Sequence, residues 1–140
     1  MNVLVIDAQG GGIGRQVVAA IRENIPALSV TAVGTNTIAT TAMLKAGADH
    51  GATGENAVIV GARQADVIIG PIGIIVADSM FGEVTPDMAR AVGQSNARRI
   101  LIPVNHCDNI VVGVQTLGIK ELVGEVISEL QKITGAAPNS

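Results

Sequence analysis

Val3, Leu4, Val5 and Ile6 form a short apolar run that passes through Asp7 and Ala8 into Gln9, Gly10, Gly11, Gly12, Ile13 and Gly14. A run rich in β-branched residues reads as a buried strand, and the spacing of Ile13, Val17, Val18 and Ile21 behind it reads as one face of a helix. A strand, a glycine turn and a helix in that order leave few folds open. The turn carries four glycines in five positions, more than chain reversal needs.

The same alternation continues along the chain. Residues 29–33 form a second strand closed by Gly34, with Thr35 and Asn36 as caps for a helix whose face holds Ile38, Ala42 and Ala46. A weak third strand lies near Ala48, a helix spans 55–64, and a buried strand follows at 67–69. Thr85 and Pro86 start another helix with Met88, Ala91 and Val92 inward, aided by Asp87 at its positive end. Residues 100–104 and 110–114 are two further strands. Ile119, Leu122, Val123, Val126, Ile127, Leu130 and Ile133 then form the clearest amphipathic helix, ended by Gly135. Strands alternating with helices across short links predict an α/β fold: a three-layer, doubly wound, mostly parallel sheet of Rossmann-like type. Residues 1–135 are expected to be one nucleotide-binding-type domain and 136–140 a disordered tail.

Composition narrows the partners. With 140 residues, 48% of them hydrophobic, the chain can bury one core but has no room for a separate substrate domain. A net charge of −3 without a basic run, no Trp or Tyr and a single Phe81 argue against nucleic acid. The apolar stretch at 67–77 is interrupted by Gly70, Pro71 and Gly73 and falls short of the ~20 residues of a membrane span. One cysteine, Cys107, and no leader pattern at the start fit a cytoplasmic protein.

In doubly wound sheets ligands sit beyond the carboxyl ends of the strands. The loops there hold Gln9, Gly10, Gly11, Gly12, Ile13 and Gly14, then Thr35 and Asn36, then Gly70, Pro71 and Gly73. The bare backbone of the first loop suits a phosphate at the positive end of a helix, although packing alone is the competing reading. Arg15 stands where the last glycine of a dinucleotide fingerprint belongs. Arg15 and Gln16 also replace the Lys and hydroxyl of a nucleotide-hydrolase loop, so ATP hydrolysis is not expected. Thr35 and Asn36 can reach a ribose or serve as helix caps. The expected ligand is a nucleotide or phosphate, a dinucleotide such as NAD(P) foremost.

Catalytic residues are not assigned. Asn105, His106, Cys107 and Asp108 follow a strand at the ligand end, yet neighbouring residues rarely aim at one point, and a solvated loop without metal is the favoured reading. Asp7 reads chiefly as a brace for the glycine loop, and Glu55 with Asn56 as a helix start. Asp78, Ser79 and Glu83 lie in the segment after the apolar loop without an assigned role. Residues 70–82, with Ile72, Ile74, Ile75, Val76, Met80 and Phe81, are too apolar for a free loop and are either core or the contact of a homodimer. The contrasting reading is a structural or regulatory module whose glycines only pack and whose apolar segment contacts a partner.

The residues of the glycine loop, Gly34, Thr35 and Asn36, residues 43–48, 51–56 and 70–74, Thr85, Pro86, residues 101–103 and Asn105 together resemble a family of short bacterial proteins that carry a domain of unknown function. The resemblance runs nearly to Val114 and departs at Ala8, where glycine is expected, and at His106, where a basic residue is expected before Cys107. It implies one coherent α/β domain and carries over no substrate, cofactor or catalytic residue.

Overall fold

The computed structural model describes residues 1–104 and 108–136. The loop centre at Asn105, His106 and Cys107 and the expected tail beyond Ala136 lie outside the described residues.

Five strands, β1 (Asn2–Asp7), β2 (Ser29–Gly34), β3 (His50–Thr53), β4 (Val67–Pro71) and β5 (Arg98–Ile102), form one sheet in the order β3-β2-β1-β4-β5. Every pairing is parallel. Val5 at the centre stands opposite Ala32 on one side and Ile69 on the other. The chain works outward from β1 to β3 and then returns to lay β4 on the free side of β1. This is the strand order of a Rossmann-like doubly wound sheet, and its switch point falls between β1 and β4.

Covering both faces requires strands with a continuous apolar run, as β1 has from Val3 to Ile6 and β4 along its length. Alternate residues of β1 feed opposite cores. Val3 and Val5 pack with α1 (Gly12–Asn24), α2 (Thr37–Lys45) and α5 (Ile119–Thr134), whereas Leu4 and Ile6 pack with α3 (Glu55–Gln64) and α4 (Pro86–Gln94). The expected capping holds at both ends of the chain's later half. Thr85 Oγ1 accepts the Met88 N–H at 3.2 Å with Pro86 opening α4, and Gly135 closes α5 at φ 72°.

Four expectations need correction. The third strand lies at His50–Thr53, a little beyond Ala48; all four residues are exposed at the sheet's edge, so no apolar run marks them. β5 begins at Arg98, two residues earlier than expected, because its polar start pairs with Val67 and Ile68 at the other edge. Residues 110–114 are not a strand: Ile110 and Val112 are 91% and 92% exposed, and Gly113 turns the chain at φ 85°. A β-branched run without a partner strand or a face to bury has nothing to hold it extended. On α2 the inward face is Ala39, Thr40 and Met43, while Ile38 is 69% exposed.

No helix among the described residues is long and apolar enough to cross a membrane. Leu130, fully buried on α5, should cost about 2–5 kcal/mol when changed to Ala, read from urea unfolding.

Candidate functional site

At the carboxyl end of β1 the chain turns sharply into α1. The Gly11 N–H donates to the Ala8 carbonyl at 3.0 Å, and Gln9 takes a left-handed φ of 52° inside that turn. Asp7, only 4% exposed, lies beneath the turn. Its Oδ1 accepts the Ala8 N–H at 2.8 Å and its Oδ2 the Gly14 N–H at 2.7 Å. Burial pushes the Asp7 carboxyl above its ordinary value of 3.8, against the pull of the Gly14, Ala8 and Ile13 N–H groups and with a further push from the Glu83 charge.

The glycines of the loop divide by surroundings. A Cβ on Gly11 would meet Ala39 Cα at 2.8 Å, and one on Gly14 would meet Met43 Sδ at 2.6 Å. Both let α1 and α2 pack close. A Cβ on Gly10 or Gly12 would find nothing within 4 Å. Their N–H groups have no acceptor among the described residues. Both line a cavity of about 200 Å³, together with Asp7, Ala8, Gln9, Ile13, Gln16 and Met80.

Thr35 and Asn36 stand at the end of β2. Asn36 caps α2 by accepting the Ala39 N–H at 2.9 Å, and its Nδ2 donates to the Gln9 carbonyl at 3.0 Å and to Glu83 at 2.8 Å. Thr35 Oγ1 donates to Glu83 at 2.7 Å, and the Gln9 N–H donates to the same carboxylate at 2.9 Å. Glu83 therefore ties the first two loops together. Partial burial works to raise its pKa, but the hydrogen bonds from Gln9, Thr35 and Asn36 prevail and hold it below the ordinary 4.5.

The structure thus brings Gln9, Gly10, Gly12, Ile13, Thr35 and Asn36 to one end of the sheet. The cavity itself is lined by neither Thr35 and Asn36 nor Gly70, Pro71 and Gly73. Gly70 is packed within β4, where a Cβ would meet the Ile6 carbonyl oxygen at 2.6 Å, and the Gly73 carbonyl accepts Ser79 Oγ at 2.5 Å. Gln16, Met80 and the bridging role of Glu83 were not read from the sequence. Gln16 had a local signal, since its Nε2 reaches the Gly12 carbonyl one helical turn back at 3.1 Å. Glu83 lies 74 residues from Gln9 and gave none. Among the described residues no group of His, Cys, Asp or Glu could hold a metal ion.

Strand order and glycine turn define a Rossmann-like α/β protein with its open loops at the switch point. The chain belongs to the family described as Domain of unknown function (DUF3842), whose model matches residues 2–135. No curated protein matches it. Among solved structures it is similar to the dodecameric FMN-dependent Ubix-like decarboxylase from Escherichia coli O157:H7, over 96% of this chain and 94% of that one, at 15% identity and a TM-score of 0.47.

Because Glu83 is held below its ordinary pKa, its contribution to stability is present above that value and lost as pH falls through the native one. The unfolding free energy of wild type minus that of Glu83→Gln, from urea titrations between about pH 6 and pH 3, should be level at the upper end and decline on acidification. A difference that grows on acidification would show that the three hydrogen bonds do not favour the charged form.

Proposed function

We propose that the chain binds a nucleotide-like small molecule through its glycine loop, with phosphate on the Gly10 and Gly12 N–H groups and the ribose end toward Thr35 and Asn36. The ligand class is a nucleotide, and a dinucleotide such as NAD(P) is the foremost candidate. One observation carries the reading: Gly10 and Gly12 have open space where a side chain would stand and unpaired N–H groups beside the N-terminus of α1. Packing alone gives no reason for glycine at either position, whereas a phosphate seated on the backbone does.

The purely structural alternative fits Gly11, Gly14 and Gly70 better than Gly10 and Gly12. Alanine at Gly12 separates the two. At an exposed position in the first turn of a helix it should leave stability unchanged or raise it by up to about 1 kcal/mol. It should also abolish the rise in unfolding midpoint that NAD, NADP, AMP or FAD gives the wild type. A wild type unmoved by any of these at about a millimolar sinks the nucleotide reading.

In this reading the protein works in the cytoplasm as a homodimer. The loops after β4 and β5 leave Phe81 fully exposed and Ile110 and Val112 nearly so, a cost in water that a second copy would remove. Sedimentation should find a dimer that Phe81→Ser combined with Val112→Ser converts to monomer. A monomeric wild type would overturn the assembly and leave the ligand reading standing.

A further inference from the structure

Dinucleotide sites of this fold place an acid at the end of the second strand, where it accepts the ribose hydroxyls. This chain has Gly34 at that position, and a Cβ there would lie 2.5 Å from the Thr40 amide nitrogen. No side chain fits. A carboxylate nevertheless stands beside Thr35 and Asn36, brought from the far side of the sheet by Glu83.

Its attachment is one-sided. Gln9 N–H, Thr35 Oγ1 and Asn36 Nδ2 all donate to Oε1, and among the described residues no donor meets Oε2. Three donors on one oxygen fix the carboxylate, and the second oxygen keeps its lone pairs for something outside the protein. The segment behind it is firmly seated. Met80 and Val84 are buried, Asp78 N–H donates to the Val84 carbonyl at 2.7 Å, and Ser79 Oγ holds the Gly73 carbonyl. Asp78, Met80 and Phe81 take left-handed φ values of 63°, 55° and 57° there, a backbone that non-glycine residues keep only where the surroundings impose it. Gln9 bonds Glu83 through its own N–H, and Gly10 and Gly12 follow directly along the same loop. The Glu83 carboxylate and the Gly10 and Gly12 N–H groups therefore stand along one loop.

We infer that Glu83 is the ribose-binding acid of this chain, with Oε2 accepting the 2′- and 3′-hydroxyls of an unphosphorylated nucleotide and its charge excluding a 2′-phosphate. The inference rests on the nucleotide reading above and deepens it by selecting NAD-type over NADP-type ligands.

Calorimetric titration of wild type and Glu83→Gln with NAD, NADP, AMP and 2′-deoxy-AMP tests it. Glutamine keeps an Oε1 for the three donors and replaces Oε2 with an N–H group, so the loops stay tied while the acceptor is lost. Wild type should prefer NAD over NADP and AMP over 2′-deoxy-AMP by about tenfold to a hundredfold, the effect of a hydrogen bond to a charged group. Glu83→Gln should lose most of both preferences. Equal binding of the members of each pair by wild type overturns the role of Glu83 and leaves nucleotide binding intact. Binding of none of the four overturns both readings. The wild-type 2′-deoxy comparison needs no variant, so it decides the matter even if Glu83→Gln fails to fold.

Discussion

The buried carboxylate of Asp7 is the constraint on which the loop end of the molecule depends. Its two oxygens hold the Ala8 and Gly14 N–H groups, so the last residue of β1 dictates where α1 begins. Its own carbonyl accepts the Thr35 N–H at 3.0 Å, which places the end of β2 relative to the same turn. An anion taken out of water is costly, and here the donors at the start of a helix offset part of that cost. The residual cost appears as a raised pKa. The turn is fixed from inside the protein.

That arrangement divides the loop's polar groups into two sets. Inner donors, those of Ala8 and Gly14, are satisfied by Asp7, and the Gly11 N–H by the Ala8 carbonyl. Outer donors, those of Gly10 and Gly12, have no acceptor among the described residues and belong to residues that line the cavity. Glycine is required for close approach at Gly11 and Gly14, where α2 leaves no room for a side chain, and is unexplained by packing at Gly10 and Gly12. Packing thus accounts for only part of the glycine-rich string.

How much could be read beforehand follows from where each signal resides. Helix α3 was legible at Glu55–Gln64 because an acidic start and a single apolar face are local facts. The central strands were legible because burial on both sides leaves a continuous apolar run. Edge strands escape that rule: β3 exposes all four residues and β5 opens on two arginines. The false strand at Ile110 and Val112 shows the converse, since β-branched residues mark a strand only when a neighbour supplies the ladder. On α2 the apolar residues Ile38 and Leu44 are exposed and Thr40 is buried, so hydrophobicity pointed at the wrong face. Thr40 is tolerated inside because its hydroxyl meets the Thr53 hydroxyl at 2.7 Å.

The site was half legible for a related reason. Gln9, Gly10, Gly12, Thr35 and Asn36 follow strands directly, and strand ends in a parallel sheet converge on one edge whatever lies between them. Glu83 does not follow a strand directly. It reaches the edge through a buried Met80, a buried Val84 and a run of left-handed backbone, none of which has a sequence signature when the residues involved are not glycine. The consequence is electrostatic as well as topological. Asp7 lies beneath the loop and Glu83 beside it, so negative charge frames the donors of Gly10 and Gly12. In the proposed mode, a phosphate at that loop would rely on backbone hydrogen bonds at a helix N-terminus against those carboxylates. Each further negative charge near Glu83 would meet more repulsion, so under the proposed reading the second phosphate of a 2′-phosphorylated ligand is the group this frame opposes.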